Sequence, residues 1–279
     1  MNTVVEPLTK RVSIEQLNRH FFGVFYRRGD HSFEGYLPNR PMFNEERTLR
    51  EVDGLIRYLA MTPEDGLAIL DAPCGYGRHV VELAGRGFRV NGIDLCPTFV
   101  ELAKRSLERA KLPQHIVTAA ALRKLPFEDC TFDVLINLFF AFGFYEKDKD
   151  NFRCLEEFAR VLKPGGRLLF HTDVNVSQFA NGTYRQPVLR YLVDGAILRI
   201  EEGLQGKRLV GSWTIEERAA GKTVTQTRGY SIRVYSRDEF EELCASVGLT
   251  VTAEYGSFDK QDQEYLETSD EMILIATKQ

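Results

Sequence analysis

The stretch that decides the fold is LAILDAPCGYGRHVVELAGRGFRVNGID, residues 67–94. Leu67 to Leu70 form a short apolar run that fits a buried parallel strand, and Asp71 follows at its C-terminal end. Gly75 and Gly77 come next, where the backbone must turn sharply and pass close to a ligand. A helical pattern opens at His79 and stops at Arg86-Gly87. Phe88 to Ile93 read as a second strand, and Asp94 ends it. A carboxylate there, about 20 residues after a glycine turn, is placed to hold the two hydroxyls of a ribose. The turn is not a nicotinamide fingerprint, because Val80 stands where G-x-G-x-x-G needs its third glycine.

Two further stretches extend this pattern. LPFEDCTFDVLIN (125–137) reads as a loop and a fourth strand, and RVLKPGGRLLFHTD (160–173) as a helix end, a Pro-Gly-Gly turn and a fifth strand. With DAPCGYG and Asp94 they resemble the class I S-adenosylmethionine-dependent methyltransferases, in the small-molecule branch, over about 45–279. The resemblance implies an α/β, Rossmann-like fold: a seven-stranded, mostly parallel sheet with one antiparallel strand. It implies S-adenosyl-L-methionine as cofactor, with Asp71, Ala72, Cys74, Gly75 and Gly77 around its methionine half. Asp94 and Leu95 would meet the ribose, Leu122 would offer its backbone to the adenine edge, and Asn137 would face the transferring methyl. Two positions depart from the family: Pro73 replaces a glycine of the loop, and Ala121 replaces the acid that meets the adenine amino group.

Residues 1–44 precede this core and correspond to a helical lid in the family, with Tyr26, His31 and Tyr36 as candidate acceptor contacts. Glu45 to Met61 reads as the lead-in helix, with Leu49, Val52, Leu55, Ile56 and Leu59 as its buried stripe. The segment NLFFAFGFYEKDKDN (137–151) follows strand four, at the strand ends where open α/β sheets bind ligands. It supplies Asn137 and, as an aromatic wall suited to a sulfonium, Phe139, Phe140, Phe144 and Tyr145. His171, at the end of strand five, is the candidate general base, with Asn137 and Tyr145 beside it. Between 176 and 235 three alternating runs predict a small antiparallel insertion carrying Trp213, Arg233 and Tyr235 for substrate recognition. Ser236 to Glu239 is a capping box that opens a helix. Leu249–Tyr255 and a run over 271–277 are the last strand pair.

Composition narrows the setting. The 279 residues carry 36 Lys and Arg against 40 Asp and Glu, a net charge of -4 that argues against a nucleic-acid partner. Five cysteines without metal-ligand spacing predict reduced, mostly buried thiols and no metal site. No apolar run reaches membrane length and no signal-peptide core is present, so a cytoplasmic monomer or homodimer is expected. The expected reaction is methyl transfer to a small-molecule N or O nucleophile in secondary metabolism. Two alternatives stand beside it. One is attack on a non-methyl carbon of the cofactor, for example cyclisation to azetidine-2-carboxylate with release of methylthioadenosine. The other is a non-catalytic cofactor-binding protein.

Overall fold

In the central sheet β1 (Ala68–Asp71) is buried along its whole length and sits between β2 (Arg89–Asp94) and β4 (Phe132–Asn137), parallel to both. Buried on both faces, such strands read as continuous apolar runs, which is why AIL and VLI carry no alternation. The computed structural model describes residues 22, 45–139, 141–173, 179, 182, 188–192, 195–258, 263–269 and 271–279. The remaining strands are β3 (Val117–Ala119), β5 (Leu162–Thr172), β10 (Leu249–Tyr255) and β11 (Met272–Lys278). Their order is β10-β11-β5-β4-β1-β2-β3, with β11 antiparallel to both neighbours and the other pairings parallel. This is the expected seven-stranded sheet with one antiparallel strand.

Helices α1 (Glu45–Tyr58), α2 (Arg78–Gly85), α3 (Pro97–Arg109), α4 (Asp148–Val161) and α5 (Arg237–Ser246) cover this sheet. Pro97 takes the first position of α3, where its missing N–H costs nothing. Ser236 caps α5, accepting from the Glu239 N–H at 3.2 Å while the Glu239 carboxylate reaches back to the Ser236 N–H. No helix among the described residues is long and apolar enough to cross a membrane.

Three expectations need correction. The stripe of α1 is not wholly apolar: Val52, Leu55 and Leu59 are fully buried, Leu49 is 37% exposed, and the charged Glu51 is fully buried. Strand β5 begins at Leu162, before the Pro-Gly-Gly turn rather than after it, because Phe132 already pairs with Leu162 and a register shift absorbs the turn. The insertion has four strands, not three: β6 (Val188–Tyr191), β7 (Ile197–Gln205), β8 (Arg208–Ala219) and β9 (Lys222–Arg233), paired antiparallel in that order.

The chain divides into two compact units, Met1–Met42 with Phe144–Glu146 and Tyr184–Arg233, and the remainder. In the first, Leu198, Leu209, Trp213, Ile215, Tyr230 and Ile232 are buried, while β9 is exposed from Lys222 to Arg228. In the second, Ile69, Val80, Leu83, Val100, Val134, Ile136, Leu169 and Ile273 form the core around the central sheet.

Candidate cofactor site

Everything at the C-terminal ends of β1 and β2 converges on one carboxylate. Asp94 accepts from the Gly75 N–H at 2.9 Å through Oδ2 and from the Cys96 N–H at 2.7 Å through Oδ1. A carboxylate offers about four acceptor positions. Two are taken by these main-chain donors, which fix its orientation and leave acceptor capacity on both oxygens for vicinal hydroxyls. Burial pushes Asp94 up to about 6, and the N–H groups of Cys96, Gly75 and Leu95 oppose that push.

The glycine loop is a tight turn closed by Gly77 N–H to Cys74 O at 2.9 Å, and its residues meet different surroundings. Gly75 has φ +55° and no atom within 4 Å of the position a Cβ would take. Gly77 has φ +82°, and a Cβ there would lie 2.6 Å from the Ala103 Cβ on α3. So Gly75 opens a cradle beside Asp94, and Gly77 lets α2 start close against α3. Cys74 is buried, with its N–H bonded to Ile93 O at 2.7 Å. Burial, reinforced by Asp71 and Asp94, pushes its thiol well up, so it packs rather than reacts.

Asp71 is buried with no hydrogen-bond partner on either carboxylate oxygen. Burial holds it well above the usual carboxylate range; Arg78 works against this and Asp94 adds to it. An unpartnered buried acid of this kind suits a cationic ligand group that completes it. Asn137, at the end of β4, donates through Nδ2 to Ala72 O at 2.7 Å. Its Oδ1 is buried without a partner. The open cradle at Gly75, the acceptor capacity of Asp94 and the unpartnered acid of Asp71 together fit a ribose joined to a cationic amino-acid tail, as in S-adenosylmethionine. Leu122 lies in the turn after β3, closed by Lys124 N–H to Ala121 O at 3.0 Å, and its side chain is at the margin of burial.

The ends of β4 and β5 are organised by residues that the sequence reading did not single out. Glu51 of α1 accepts from Arg47 Nε at 2.7 Å, from Arg78 Nη1, and lies 3.0 Å from His79 Nε2. Burial opposes its charge, but the His79 hydrogen bond and the Arg78 and Arg47 guanidinium groups outweigh it and hold Glu51 well below the usual range. Burial and the Arg78 charge push His79 down to about 4 against the pull of Glu51. Both guanidinium carbons stand over the Phe139 ring, Arg47 at 4.9 Å and Arg78 at 4.8 Å. Phe139 itself has φ +57°, a left-handed conformation that costs a phenylalanine roughly 1–2 kcal/mol. Its N–H donates to His171 Nδ1 at 3.1 Å. The signals for this cluster were a carboxylate on an otherwise apolar helix stripe, an arginine four residues before it, and Arg78-His79 directly after the glycine turn.

The other expected residues fall elsewhere. Tyr235 packs against Phe142, ring centroids 5.1 Å apart, in an aromatic group with Phe170 and Phe240. In the four-stranded unit, Phe144 meets Phe22 edge-on at 5.2 Å, and the Tyr145 carbonyl accepts from Arg208 at 3.4 Å. Trp213 is buried beneath the Arg190 guanidinium at 5.7 Å, and Arg233 is buried as well. Tyr26, His31, Tyr36 and Phe140 lie outside the described residues. No group of metal-ligating side chains occurs among the described residues.

Residues 70–170 match the family model for a methyltransferase domain. The chain is 31% identical over 144 residues to an S-adenosyl-L-methionine-dependent Diels-Alderase of Neonectria sp. (strain DH2), covering 51% of this chain and 53% of that protein. It is also 31% identical over 142 residues to the 27-O-demethylrifamycin SV methyltransferase of Amycolatopsis mediterranei (strain S699), half of each chain. The chain thus spans about half the length of the curated relatives it matches. Its fold resembles that of an S-adenosylmethionine-dependent methyltransferase from Clostridium acetobutylicum ATCC 824, with a TM-score of 0.69 and 13% identity over 83% of this chain and 92% of that one. Residues 70–170 thus match a methyltransferase domain, within a fold that resembles that of an S-adenosylmethionine-dependent methyltransferase of known structure.

Proposed function

We propose that this protein transfers the methyl group of S-adenosylmethionine to a nitrogen or oxygen nucleophile of a small molecule in secondary metabolism. The observation that carries the reading is Asp94, fixed by two main-chain donors beside the open Gly75 cradle. Bound there, S-adenosylmethionine supplies an electrophilic methyl on a sulfonium and leaves as a thioether. The chain's own residues bind and orient. Asp94 takes the ribose hydroxyls, Leu95 borders them, Leu122 meets the adenine, and Asp71 faces the cationic tail. Asn137 ties the end of β4 to Ala72, so the floor of the site cannot shift away from the cofactor loop. An incoming amine brings its own lone pair, so alignment can supply most of the acceleration and its proton leaves to solvent. A hydroxyl acceptor would need a base to take its proton.

The net charge of -4 favours a small-molecule partner over a nucleic acid, and a cytoplasmic monomer or homodimer fits the composition. The likeness to the rifamycin O-methyltransferase over half of each chain supports a small, elaborated acceptor.

A second reading keeps the cofactor bound but unconsumed, and the likeness to a Diels-Alderase favours it. One experiment separates these readings. The protein is incubated with S-adenosylmethionine, alone and with a panel of amines and phenols, and the nucleoside products are followed by mass spectrometry. S-adenosylhomocysteine formed only with an acceptor is the expected result. Methylthioadenosine without any acceptor would mean attack on a different carbon. Cofactor recovered intact under every condition would favour the second reading.

A further inference from the structure

We propose that His171 is a positioning residue that fixes the Phe139 backbone beside the cofactor site, and that it does not serve as a general base. A general base needs an open lone pair aimed at the acceptor. The lone pair on His171 Nδ1 is already taken by the Phe139 N–H at 3.1 Å. In the neutral ring the proton then sits on Nε2, which lies 3.8 Å from Glu271 Oε1. The ring is fully buried, with Phe139 at 4.9 Å and Phe258 at 5.1 Å between ring centroids. Neither nitrogen has a lone pair directed at a small molecule.

What the histidine does instead follows from where Phe139 sits. Asp71 pairs with Ile136 across β1 and β4, so Phe139 begins the loop just past the strand ends that carry Asp71 and Asn137. A left-handed phenylalanine persists only where its surroundings over-determine it. Here the ring lies under the Arg47 and Arg78 guanidinium groups, both set by Glu51, and the N–H is held by His171. Glu271 just before β11, Asp173 two residues along, and His79 on α2 are the other titratable groups facing His171. Glu271 is itself oriented by the Phe258 N–H at 2.9 Å; at 3.8 Å it makes no hydrogen bond to His171 Nε2, which has no such partner among the described residues, so the Nδ1 bond to Phe139 is the one that holds the loop.

The inference rests on the methyl-transfer reading only for its kinetic arm. The primary test is a long-range 1H–15N spectrum of the uniformly labelled full-length chain, before and after S-adenosylmethionine is added. The expected result is an unprotonated Nδ1 and a protonated Nε2 on His171 in both samples. The Phe139 amide proton should move in His171→Ala and stay near its place in His171→Asn, whose side-chain carbonyl can accept the same bond. With the first acceptor that yields S-adenosylhomocysteine, kcat should fall about tenfold in His171→Ala and recover in His171→Asn, with the pH–rate profile unchanged in shape. A proton on Nδ1 would overturn the proposal. So would loss of one limb of the pH–rate profile in both variants. In the same spectra, absence of any cofactor-induced shift at the Gly75 amide would overturn the cofactor reading and leave the tautomer result standing.

Discussion

The C-terminal edge of the central sheet has two ends built on opposite principles. At β1 and β2, main-chain N–H groups converge on Asp94 and leave lone pairs over, and the Asp71 carboxylate has no hydrogen-bond partner among the described residues. At β4 and β5, side chains satisfy one another: Glu51 gathers Arg47, Arg78 and His79, the arginines cover Phe139, and His171 holds the Phe139 backbone. The first end offers an open cradle, spare acceptor capacity and an unpartnered acid, whereas the second is held mainly by its own side chains, with Asn137 Oδ1 and His171 Nε2 left without a hydrogen-bond partner among the described residues. Binding energy should therefore reside at the first end, and shape and stability at the second.

The largest expected effect tests the self-satisfied end. Glu51→Ala removes the buried carboxylate shared by the half-buried Arg47 and Arg78, leaving Arg47 its longer contact to Asp173, and should cost about 3 kcal/mol, read as a drop of roughly 10 °C in Tm. A variant that melts like wild type but loses cofactor affinity would put ligand binding at this end and break the comparison.

The next effect is a pH dependence carried by His79. Its folded value is pushed down to about 4 from an ordinary 6.5, so the unfolded chain takes up the proton first. The stability given by a neutral His79 is complete above pH 6.5 and is lost as pH falls toward 4, by roughly 3 kcal/mol. His79→Asn cannot titrate, so the stability gap between wild type and variant should narrow over that window. Denaturant titrations at pH 7 and pH 4.5 measure it; a constant gap would mean that Glu51 keeps the histidine charged.

Asp94 should show a pH signature in binding. With its folded value pushed up to about 6, the carboxylate proposed to accept the ribose hydroxyls is depleted as pH falls below 6. Affinity for S-adenosylmethionine should drop about tenfold between pH 7 and pH 5, and calorimetry on Asp94→Asn should show a flat profile. A wild-type affinity that does not change over this range would contradict the assignment.

The two loop glycines sharpen the comparison within one turn. Gly77→Ala, at φ +82° with Ala103 only 2.6 Å away, should destabilise by about 2 kcal/mol. Gly75→Ala, at φ +55° in open space, should cost about 1 kcal/mol or less and instead weaken cofactor binding by filling the cradle. Thermal melts and titrations of the two variants should give opposite rankings.

The same division explains what the sequence could and could not reveal. Asp71, Gly75, Gly77 and Asp94 lie within one strand-turn-helix-strand unit, so their spacing along the chain is their spacing in the site. The seven-stranded sheet with one antiparallel strand was implied by the family resemblance that this unit carries together with 125–137 and 160–173. The Glu51 cluster draws on α1, α2, β5 and the loop after β4, and nothing local marks it beyond a charged residue on an apolar stripe. His171 was placed on the correct rim from strand position, but which of its nitrogens was engaged depended on the left-handed turn at Phe139. The fourth strand of the insertion was missed because β6 is only four residues long, and Val188–Tyr191 carries too few residues to show alternation.

The most direct test of the account is isothermal titration of S-adenosylmethionine into wild type and Asp94→Ala, with circular dichroism to establish that both are folded. The variant loses the acceptor that orients the Gly75 and Cys96 N–H groups and, on the proposed reading, the charge-assisted bonds to the ribose. The account predicts saturable binding by wild type and a loss of about 100-fold or more in the folded variant. Equal affinity for the two proteins, or no binding by wild type, would contradict it.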